Sequence, residues 1–481
     1  MTQLTEAARA PTEADTGSTL AALAAVVGAG NVFSGEDIEA KHRGDLTGKF
    51  KALPAFVVRP ASTEQVCAVV KIAAAAGLPI TPFGGGTGLV GGGVAAPGGV
   101  VLSLERMNRI VEIDRTGLTM TVEAGAILQV VQEAAEAEGL LMPLDLGGRG
   151  SATIGGNIAT NAGGMRVLRW GMMRDMVLGL EVVLADGTIV SALTKALKDN
   201  AGYHWKQLFI GAEGTLGVVT KAVLRLRPAP TTSQTAIVAL AGFEAATTFL
   251  RDTQAKLSGR LSTFELMWPD FYELLTTAQA ARRSRPLPCG APLYALIEAL
   301  GADERRDPEV FEEILAQAME DGIVLDAVVA ASARQRQDLI AVRDELGEAF
   351  APLRPIIVFD VSMALSEMPA FIAQADASIR AEHPDAVILH YGHAGDGNLH
   401  LVVSVGESSR AIEHQIQTAV FTAVRAVGGS ISAEHGVGLE RLEFIGWTRT
   451  PEELALMRAF KTALDPRNLM NPGKVLPAVL T

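Results

Sequence analysis

The sequence predicts an α+β protein with more than one domain. Segments with helical periodicity alternate with short runs of β-branched residues, which is typical of mixed helix and sheet. Three glycine-dense segments separate predicted strands in the first half of the chain, and RPAPTT at 227–232 indicates a linker to a second α+β region. A chain of 481 residues is long enough for two or three such domains.

Charge and cysteine content exclude several classes of protein. The net charge of −13 disfavours nucleic acid as a partner, because phosphate backbones need a basic surface. Cys67 and Cys289 are the only cysteines, too few for a disulfide framework or a four-cysteine iron–sulfur cluster. The first residues lack a secretory signal, and no run approaches the roughly 20 apolar residues of a membrane-spanning helix. We expect a cytoplasmic protein, with peripheral attachment to a membrane left open.

The first elements are predicted in order from capping and turn signals. Residues 1–50 form an alanine-rich, helical lead-in. The run from Ser62 to Gln65 is a capping box that begins a helix, and Gly77 ends it. The strand LPITPF follows and leads into the first glycine segment.

The first glycine segment, TPFGGGTGLVGGG, contains the pattern G-x-G-x-x-G at Gly86, Gly88 and Gly91. In a Rossmann fold this loop begins a helix, whose N-terminus binds the pyrophosphate. Here Pro97 and further glycines follow, and then the strand VVLSL. A nicotinamide site is therefore disfavoured, and the segment is either a phosphate cradle of another type or a surface turn.

The next elements extend this pattern. TMTVEAGA is a predicted strand, and QVVQEAAEAEG a predicted helix. The second glycine segment, GGRGSATIGGNIATNAGG at 147–164, carries small polar side chains that suit either a close polar ligand or a turn-rich loop. LGLEVVLADGTIV predicts a hairpin with its turn at Asp186-Gly187. The third segment, around Gly211, Gly214 and Gly217, precedes another strand.

Histidines cluster in AVILHYGHAGDGNLHLVVSV, a predicted strand, turn and strand. His393 and His400 flank the turn, so their imidazoles can converge on a metal ion. Glu434 and His435 are adjacent in SAEHGVG, where one side chain could bind the ion while the other faces a substrate. Histidines on strands are also common as hydrogen-bonded core or surface residues, and spacing alone leaves both interpretations open.

Five motifs occur in the order PFGGGTGLVGG, PLDLGGRGSATIGGNIATNAGG, GHAGDGNLH, AEHGVG and LDPRNLMNPGK. They resemble the FAD-linked 2-hydroxyacid dehydrogenases, which include D-lactate dehydrogenase, the glycolate oxidase flavin subunit and D-2-hydroxyglutarate dehydrogenase. The resemblance implies a fold of the vanillyl-alcohol-oxidase type. Its domains would be the lead-in (1–50), a two-lobed FAD-binding domain (51–228), an α+β substrate or cap domain (229–424) and a C-terminal helical segment that returns to the FAD domain (425–481).

The resemblance also implies how FAD is held. The cofactor is expected to be non-covalent, because the first glycine loop has no histidine or cysteine that could bond to it. The cofactor-binding residues that the resemblance implies are Pro82, Gly84, Gly85, Gly86, Thr87, Gly88, Leu89, Pro143, Gly150, Ser151, Gly155, Gly156, Asn157, Thr160, Asn161, Gly163, Gly164, Glu213, Gly214, Gly217, Val219 and Asn471.

Metal and catalytic roles follow from the same resemblance. His393, His400 and Glu434 would bind a divalent metal, with zinc as the expected ion, and His435 would be the general base. Such an ion lowers the pKa of the substrate hydroxyl and orients the acid by chelation. The base would take the hydroxyl proton as hydride leaves C2 for flavin N5.

Three positions bear on the substrate. Arg343 matches a substrate-facing arginine of the family, whose guanidinium can bind a carboxylate through two hydrogen bonds. The alternative is a surface arginine paired with Asp344 or Glu345. Val358 and Val402 stand where the hydroxyglutarate enzymes are expected to have a lysine and a polar residue, which disfavours a distal carboxylate.

We therefore expect an oxidoreductase that converts a lactate-like D-2-hydroxyacid to the 2-oxoacid. The electrons would pass to an external quinone, cytochrome or electron-transfer flavoprotein, because the sequence shows no second redox centre. The alternatives are a D-2-hydroxyglutarate dehydrogenase and a non-redox zinc hydrolase with a nucleotide-binding glycine loop. A homodimer is left open.

Overall fold

The computed structural model describes residues 13–279 and 282–477. The predictions for residues 1–12, which concern the secretory signal and the start of the lead-in, lie outside the described residues. Helix α1 (Glu13–Val27) confirms part of the helical lead-in. The prediction is wrong for residues 28–50, which form short 3₁₀ turns and a strand. Gly28, at a φ of 85°, follows the last helical residue and ends the regular helix there.

The first lobe of the FAD-binding region is a four-stranded sheet of order β1-β2-β4-β3. Its elements are β1 (Val32–Phe33), β2 (Phe56–Val58), α2 (Thr63–Ala75), β3 (Ile80–Phe83) and β4 (Val100–Ser103). Ser62 caps α2 as predicted, since its side chain accepts a hydrogen bond from the backbone N–H of Gln65. The chain passes from β3 to β4 without a helix, which confirms that the first glycine segment is not a Rossmann loop.

The second lobe is an antiparallel sheet of order β5-β6-β10-β8-β9. Its elements are β5 (Ile110–Asp114), β6 (Thr119–Glu123), α3 (Leu128–Ala137), β7 (Leu140–Leu141), α4 (Ile154–Thr160), α5 (Val167–Trp170), α6 (Met173–Met176), β8 (Val177–Val183), β9 (Ile189–Ala192), β10 (Val218–Arg225) and β11 (Arg227–Pro228). β8 and β9 form the predicted hairpin, with Gly187 at a φ of 82° in its turn. One apolar core joins the two lobes.

The cap region is a seven-stranded antiparallel sheet of order β15-β12-β14-β13-β17-β18-β16. Its elements are β12 (Thr232–Leu240), α7 (Phe243–Leu257), β13 (Leu261–Met267), α8 (Pro269–Ala278), β14 (Leu293–Gly301), α9 (Arg306–Glu320), β15 (Val324–Val329), α10 (Ala333–Asp344), α11 (Leu346–Phe350), β16 (Ile357–Ser362), α12 (Met368–Glu382), β17 (Val387–Gly392), β18 (Asn398–Ser404) and α13 (Arg410–Ala426). β17 and β18 are the strands predicted around the paired histidines.

The C-terminal segment contains α14 (Ile445–Thr448) and α15 (Pro451–Leu464) and then returns to the first lobe. There Met470 forms a parallel bridge with Ile80, and the N–H of Asn471 donates to the Ile80 carbonyl at 2.7 Å. Within the described residues no helix is both long and apolar enough to cross a membrane.

Candidate active site

A cavity of about 620 Å³ lies where the two lobes meet the cap sheet. All three glycine segments contribute to its walls, and so does the predicted metal and catalytic cluster. The predicted residues that line it are Pro82, Gly84, Gly85, Gly86, Thr87, Gly88, Leu89, Gly155, Gly156, Asn157, Thr160, Gly163, Gly164, Glu213, Gly214, Gly217, Val219, Arg343, His393, His400, Glu434 and His435. Those that do not line it are Pro143, Gly150, Ser151, Asn161 and Asn471.

The first two glycine segments pack backbone against backbone. A Cβ built on Gly85 would lie 1.9 Å from the carbonyl oxygen of Ser151, and one on Gly84 would lie 2.5 Å from Oγ1 of Thr153. Only glycine permits so close an approach at these positions. Ser151 therefore packs against the first glycine segment, behind the cavity wall.

The first glycine segment offers free hydrogen-bond donors. Among the described residues, no acceptor is found for the backbone N–H groups of residues 84–93. Asn157, which is 4% exposed and lines the same cavity, has an amide Nδ2 without a partner. Converging N–H groups in a glycine-rich loop bind anions, so these donors fit the phosphates and polar edges of a dinucleotide such as FAD.

Asn161 and Asn471 have structural contacts outside the cavity. Asn161 ends α4 in the left-handed conformation, and its Oδ1 accepts from the backbone N–H of Arg174. Asn471 donates through Nδ2 to the carbonyls of Gly92 and Glu213 at 2.9 and 2.8 Å. Asn471 therefore joins the C-terminal segment to two glycine segments without reaching the cavity.

Glu213 connects the third glycine segment to the loop that carries Glu434 and His435. Its carboxylate accepts from the backbone N–H groups of Val437 at 2.7 Å and Gly438 at 2.9 Å. Burial raises the pKa of Glu213, while these two hydrogen bonds act in the opposite direction. The carboxylate thus holds the loop that follows Glu434 and His435 against the FAD-binding lobe.

The structure brings the predicted histidines together. The ring centroids of His393 and His400 lie 5.2 Å apart, and those of His400 and His435 lie 6.2 Å apart. His393 and His400 are 6% and 7% exposed, which places both in the interior end of the cavity. Burial and the neighbouring His393 lower the pKa of His400 well below its ordinary value, which favours the neutral imidazole that metals bind.

The sequence analysis missed Glu265, a fully buried carboxylate on β13. Its Oε1 lies 2.5 Å from Nδ1 of His393, and its Oε2 accepts from Nε of Arg343 at 2.8 Å. Burial alone would raise the pKa of Glu265, but His393 and Arg343 lower it to about 2. Burial would likewise lower the pKa of His393, but Glu265 raises it to about 9.

A second missed carboxylate, Asp360 on β16, lies on the other side of the cluster. It accepts from the backbone N–H groups of Glu434 and His435, each at 2.9 Å. It also lies 3.9 Å from Nδ1 of His400 and 3.7 Å from Nδ1 of His435. Burial opposes ionisation, but His435, Arg441 and His400 hold the pKa of Asp360 well below its ordinary value. A single acid inside an apolar strand, as in LSTFELM and IVFDVS, is the sequence signal for both residues.

The cluster has the side chains that a divalent metal requires. Within the described part of the chain, Asp360, Glu434 and His435 have ligand atoms that all lie within 4.8 Å of one another. This group shares only Glu434 with the predicted set. Two residues of the predicted set, His393 and His400, each have a carboxylate near the Nδ1 atom of the ring. The Nε2 atom of each ring is therefore left to bind an ion. Oε1 of Glu434 accepts from the N–H of Gly164 at 2.5 Å.

Arg343 is buried and not a surface residue, although it keeps the pairing with Asp344 that the alternative named. It is 6% exposed, lies 4.9 Å from the ring centroid of Tyr391, and is 3.8 Å from Asp344. Glu345 pairs instead with Arg283. The Nη atoms of Arg343 form no hydrogen bond with a described residue, although Nη1 lies 3.8 Å from Oδ1 of Asp344, so they can donate to an anion in the cavity.

One wall of the cavity beside Arg343 is apolar. It is lined by Leu346, Phe350, Val358 and Tyr391. Val402 lies directly opposite Val358 in the β16–β18 pair, and it packs beneath the wall at 1% exposure without lining the cavity. The two positions that depart from the family pattern are therefore neighbours.

Comparisons with known proteins cover most of the chain. Residues 54–193 match a family model described as an FAD binding domain, and residues 229–475 match the C-terminal domain of FAD linked oxidases. The D-2-hydroxyglutarate dehydrogenase of Xanthomonas citri is 39% identical over 92% of this chain and 93% of its own. The mitochondrial D-2-hydroxyglutarate dehydrogenase of Bos taurus is 37% identical over 88% of this chain and 76% of its own.

Two solved structures share the fold at low sequence identity. The structure of p-cresol methylhydroxylase with substrate bound has a TM-score of 0.78 and covers 96% of this chain and 97% of its own at 18% identity. Alkyldihydroxyacetonephosphate synthase has a TM-score of 0.72 and covers 95% of this chain and 85% of its own, also at 18% identity. At such identity the likeness concerns the fold alone.

Proposed function

The chain belongs to the FAD-linked D-2-hydroxyacid dehydrogenases, with a fold of the vanillyl-alcohol-oxidase type, and from that premise we propose that its substrate is a D-2-hydroxyacid with a short or apolar side chain. FAD, the cofactor of the family, supplies a two-electron acceptor for the hydride of C2 when it is bound. The FAD-binding domain contradicts the alternative of a non-redox hydrolase.

Arg343 would bind the substrate carboxylate through its Nη atoms. The support is that these donors are free and lie beside the cavity, while Nε is held by Glu265 at 2.8 Å. A guanidinium fixed at one nitrogen presents its remaining donors in a defined direction. The carboxylate would therefore be oriented before the reaction begins.

His435 would take the proton of the substrate hydroxyl. Its position in the cavity supports this, and Asp360 at 3.7 Å from Nδ1 would stabilise the imidazolium that forms. His393, His400 and Glu434 would hold a divalent ion, with zinc as the expected metal, which would lower the pKa of the hydroxyl. The carboxylates beside the Nδ1 atoms of both histidines support that assignment.

The observation that carries the choice of substrate is the apolar pair Val358 and Val402. Val358 lines the cavity with Leu346, Phe350 and Tyr391, as Arg343 does, and Val402 packs beneath Val358. Leu346, Phe350 and Val358 supply no positive charge or hydrogen-bond donor to a second carboxylate, whereas an alkyl group gains free energy by contact with them. D-2-hydroxyglutarate is the second candidate, since relatives 35–39% identical carry that substrate in their names.

The electrons would leave through an external acceptor, such as a quinone, a cytochrome or an electron-transfer flavoprotein. We propose this because the family domains account for one redox cofactor, FAD. A dye that accepts electrons from reduced flavin can replace the natural acceptor in an assay.

A panel of D-2-hydroxyacids with a dye acceptor tests the proposal, with the L-isomers as controls. We expect kcat/KM to be higher for D-lactate and its alkyl homologues than for D-2-hydroxyglutarate. The opposite order would refute the apolar assignment, and no turnover of any D-2-hydroxyacid would refute the function. His435→Ala should abolish turnover and retain FAD, and undiminished turnover would remove His435 from its role as base.

A further inference from the structure

A second cavity, also of about 620 Å³, lies between the FAD-binding lobes and the cap. Gln132 of α3 and Leu141 of β7 line one side, and Ile340 and Ala341 of α10 line the other. None of these side chains lines the first cavity.

Four residues line both cavities and form the partition between them. They are Asp145, Arg149, Met165 and Asp344. Arg149 donates to Asp145 at 2.8 Å across one turn of chain, and its side chain is half exposed. Arginine and methionine side chains change rotamer readily, so a partition made of them can open without a movement of the backbone.

The second cavity is open to solvent on its far side. Glu136 on α3 and Gln337 on α10 both line it and are exposed. A small molecule can therefore reach the partition from outside the protein without passing the glycine segments that fit the cofactor.

The partition offers an arginine to a small anion. Arg149 and Arg166 both pair with Asp145, at 2.8 and 3.2 Å, so that this group carries one excess positive charge. Asp344 on the opposite side balances that charge, because Arg343, 3.8 Å from it, is already paired with Glu265. Arg149, whose side chain is half exposed, can donate hydrogen bonds to a carboxylate that reaches the partition.

We propose that the second cavity is the passage through which the D-2-hydroxyacid enters and the 2-oxoacid leaves. The inference rests on the proposed function and adds a route to it. The hydroxyacid anion meets the Asp145–Arg149 pair first, and Arg343 then binds its carboxylate in the catalytic cavity.

Tryptophan substitutions that fill the passage test this route. Gln337→Trp acts at the exposed rim, and Leu141→Trp acts on the opposite wall; neither residue lines the catalytic cavity. Val130→Trp is the control, because Val130 is an exposed residue of α3 that lines neither cavity. Reduction of the flavin by D-2-hydroxyacid is followed anaerobically in a stopped-flow instrument, with FAD content and Tm measured for each variant.

We expect the second-order rate constant at low substrate to fall roughly ten-fold in both passage variants, while the limiting rate at saturation stays unchanged. Val130→Trp should match the wild type. Unchanged second-order constants in both passage variants would overturn the proposal. The proposal would also be overturned if both passage variants slowed reoxidation of the flavin by the acceptor but not its reduction by the hydroxyacid. That result would indicate that the second cavity binds the electron acceptor. Failure of the wild type itself to react would instead refute the proposed function.

Discussion

Nδ1 of His393 lies 2.5 Å from Oε1 of Glu265, a carboxylate with no exposed surface on the strand next to β17. The other oxygen of Glu265 accepts from Nε of Arg343 at 2.8 Å. One buried carboxylate therefore orients both a predicted metal ligand and the predicted substrate arginine. Because Glu265 contacts both side chains at once, a change at Glu265 should alter metal binding and substrate binding together.

Glu265→Gln should lower metal affinity by about 10- to 100-fold and raise KM for the hydroxyacid. An amide keeps the shape of the carboxylate but cannot neutralise His393 and Arg343. Metal content after dialysis against a metal buffer, measured beside KM, checks both effects. Glu181→Gln is the control, since Glu181 is a buried carboxylate of the second lobe that pairs with Lys221. Unaltered metal content in the Glu265 variant would show that this carboxylate does not orient a ligand.

Gly85→Ala should abolish FAD binding and lower Tm. The added Cβ would lie 1.9 Å from the Ser151 carbonyl oxygen, so the two glycine segments would have to separate. Such overpacking costs about 1–3 kcal/mol of unfolding free energy or more. The FAD-to-protein ratio after gel filtration and a thermal melt measure the two effects. Gly88→Ala is the control, because a Cβ at Gly88 meets nothing within 4 Å, and its Tm should stay near that of the wild type.

Val358→Lys should shift the preference toward D-2-hydroxyglutarate. Val358 is 40% exposed and lines the cavity, so an ammonium group can be solvated there and can still reach a distal carboxylate. We expect the ratio of kcat/KM for D-2-hydroxyglutarate over D-lactate to rise roughly ten-fold or more. Val387→Lys, at 41% exposure on β17 and outside the cavity, is the matched control. An unchanged ratio would mean that the substrate tail does not point toward Val358.

Removal of metal should abolish turnover without releasing FAD. The free N–H donors of the first glycine segment involve none of His393, His400 and Glu434, and Glu434 contacts the second segment through the N–H of Gly164, so a chelator should remove the metal and leave the FAD site in place. We expect dialysis against a chelator to leave the flavin absorbance intact and the hydroxyacid reaction lost, and added Zn²⁺ to restore it. Full activity of a metal-free preparation, verified by elemental analysis, would contradict the metal assignment.

The sequence predicted the elements that have local signals. The Ser62 cap, the hairpin at Gly187 and the strand–turn–strand of His393 and His400 are all present, because each depends on residues close together in the chain. The resemblance of five ordered motifs predicted the family and the fold. Most of the predicted site residues line one cavity, whereas five do not, among them Asn161, whose Oδ1 accepts from the N–H of Arg174.

The parts that the sequence did not predict depend on contacts between distant segments. Glu265 is 128 positions from His393, and Asp360 is 74 positions from Glu434, so no local pattern links them. The lead-in was predicted as one helix from its alanine content, but strand pairing of Val32 with Val58 outweighs that propensity after Gly28. The second cavity forms only when α3 and α10 face each other.

Lys474→Met should change stability in a pH-dependent way. Lys474 is 4% exposed and donates to the Val94 carbonyl at 2.8 Å, and burial lowers its pKa to about 8, against the opposing effect of Glu213. An unfolded lysine has a pKa near ~10.4. Between those two pH values the unfolded state binds more protons, so this group makes the unfolding free energy rise with pH. The penalty for burying the cation is fully present below about pH 8.

The variant lacks this group and its burial penalty. The unfolding free energy of the variant minus that of the wild type should therefore be larger at ~pH 7 than at ~pH 10. Chemical denaturation of both proteins at each pH gives the difference. Lys198→Met, at an exposed lysine, controls for the loss of one positive charge. The difference in unfolding free energy between Lys474→Met and the wild type could instead be equal at both pH values. Lys474 would then keep its proton throughout, and its burial beside Val94 would carry no free-energy penalty.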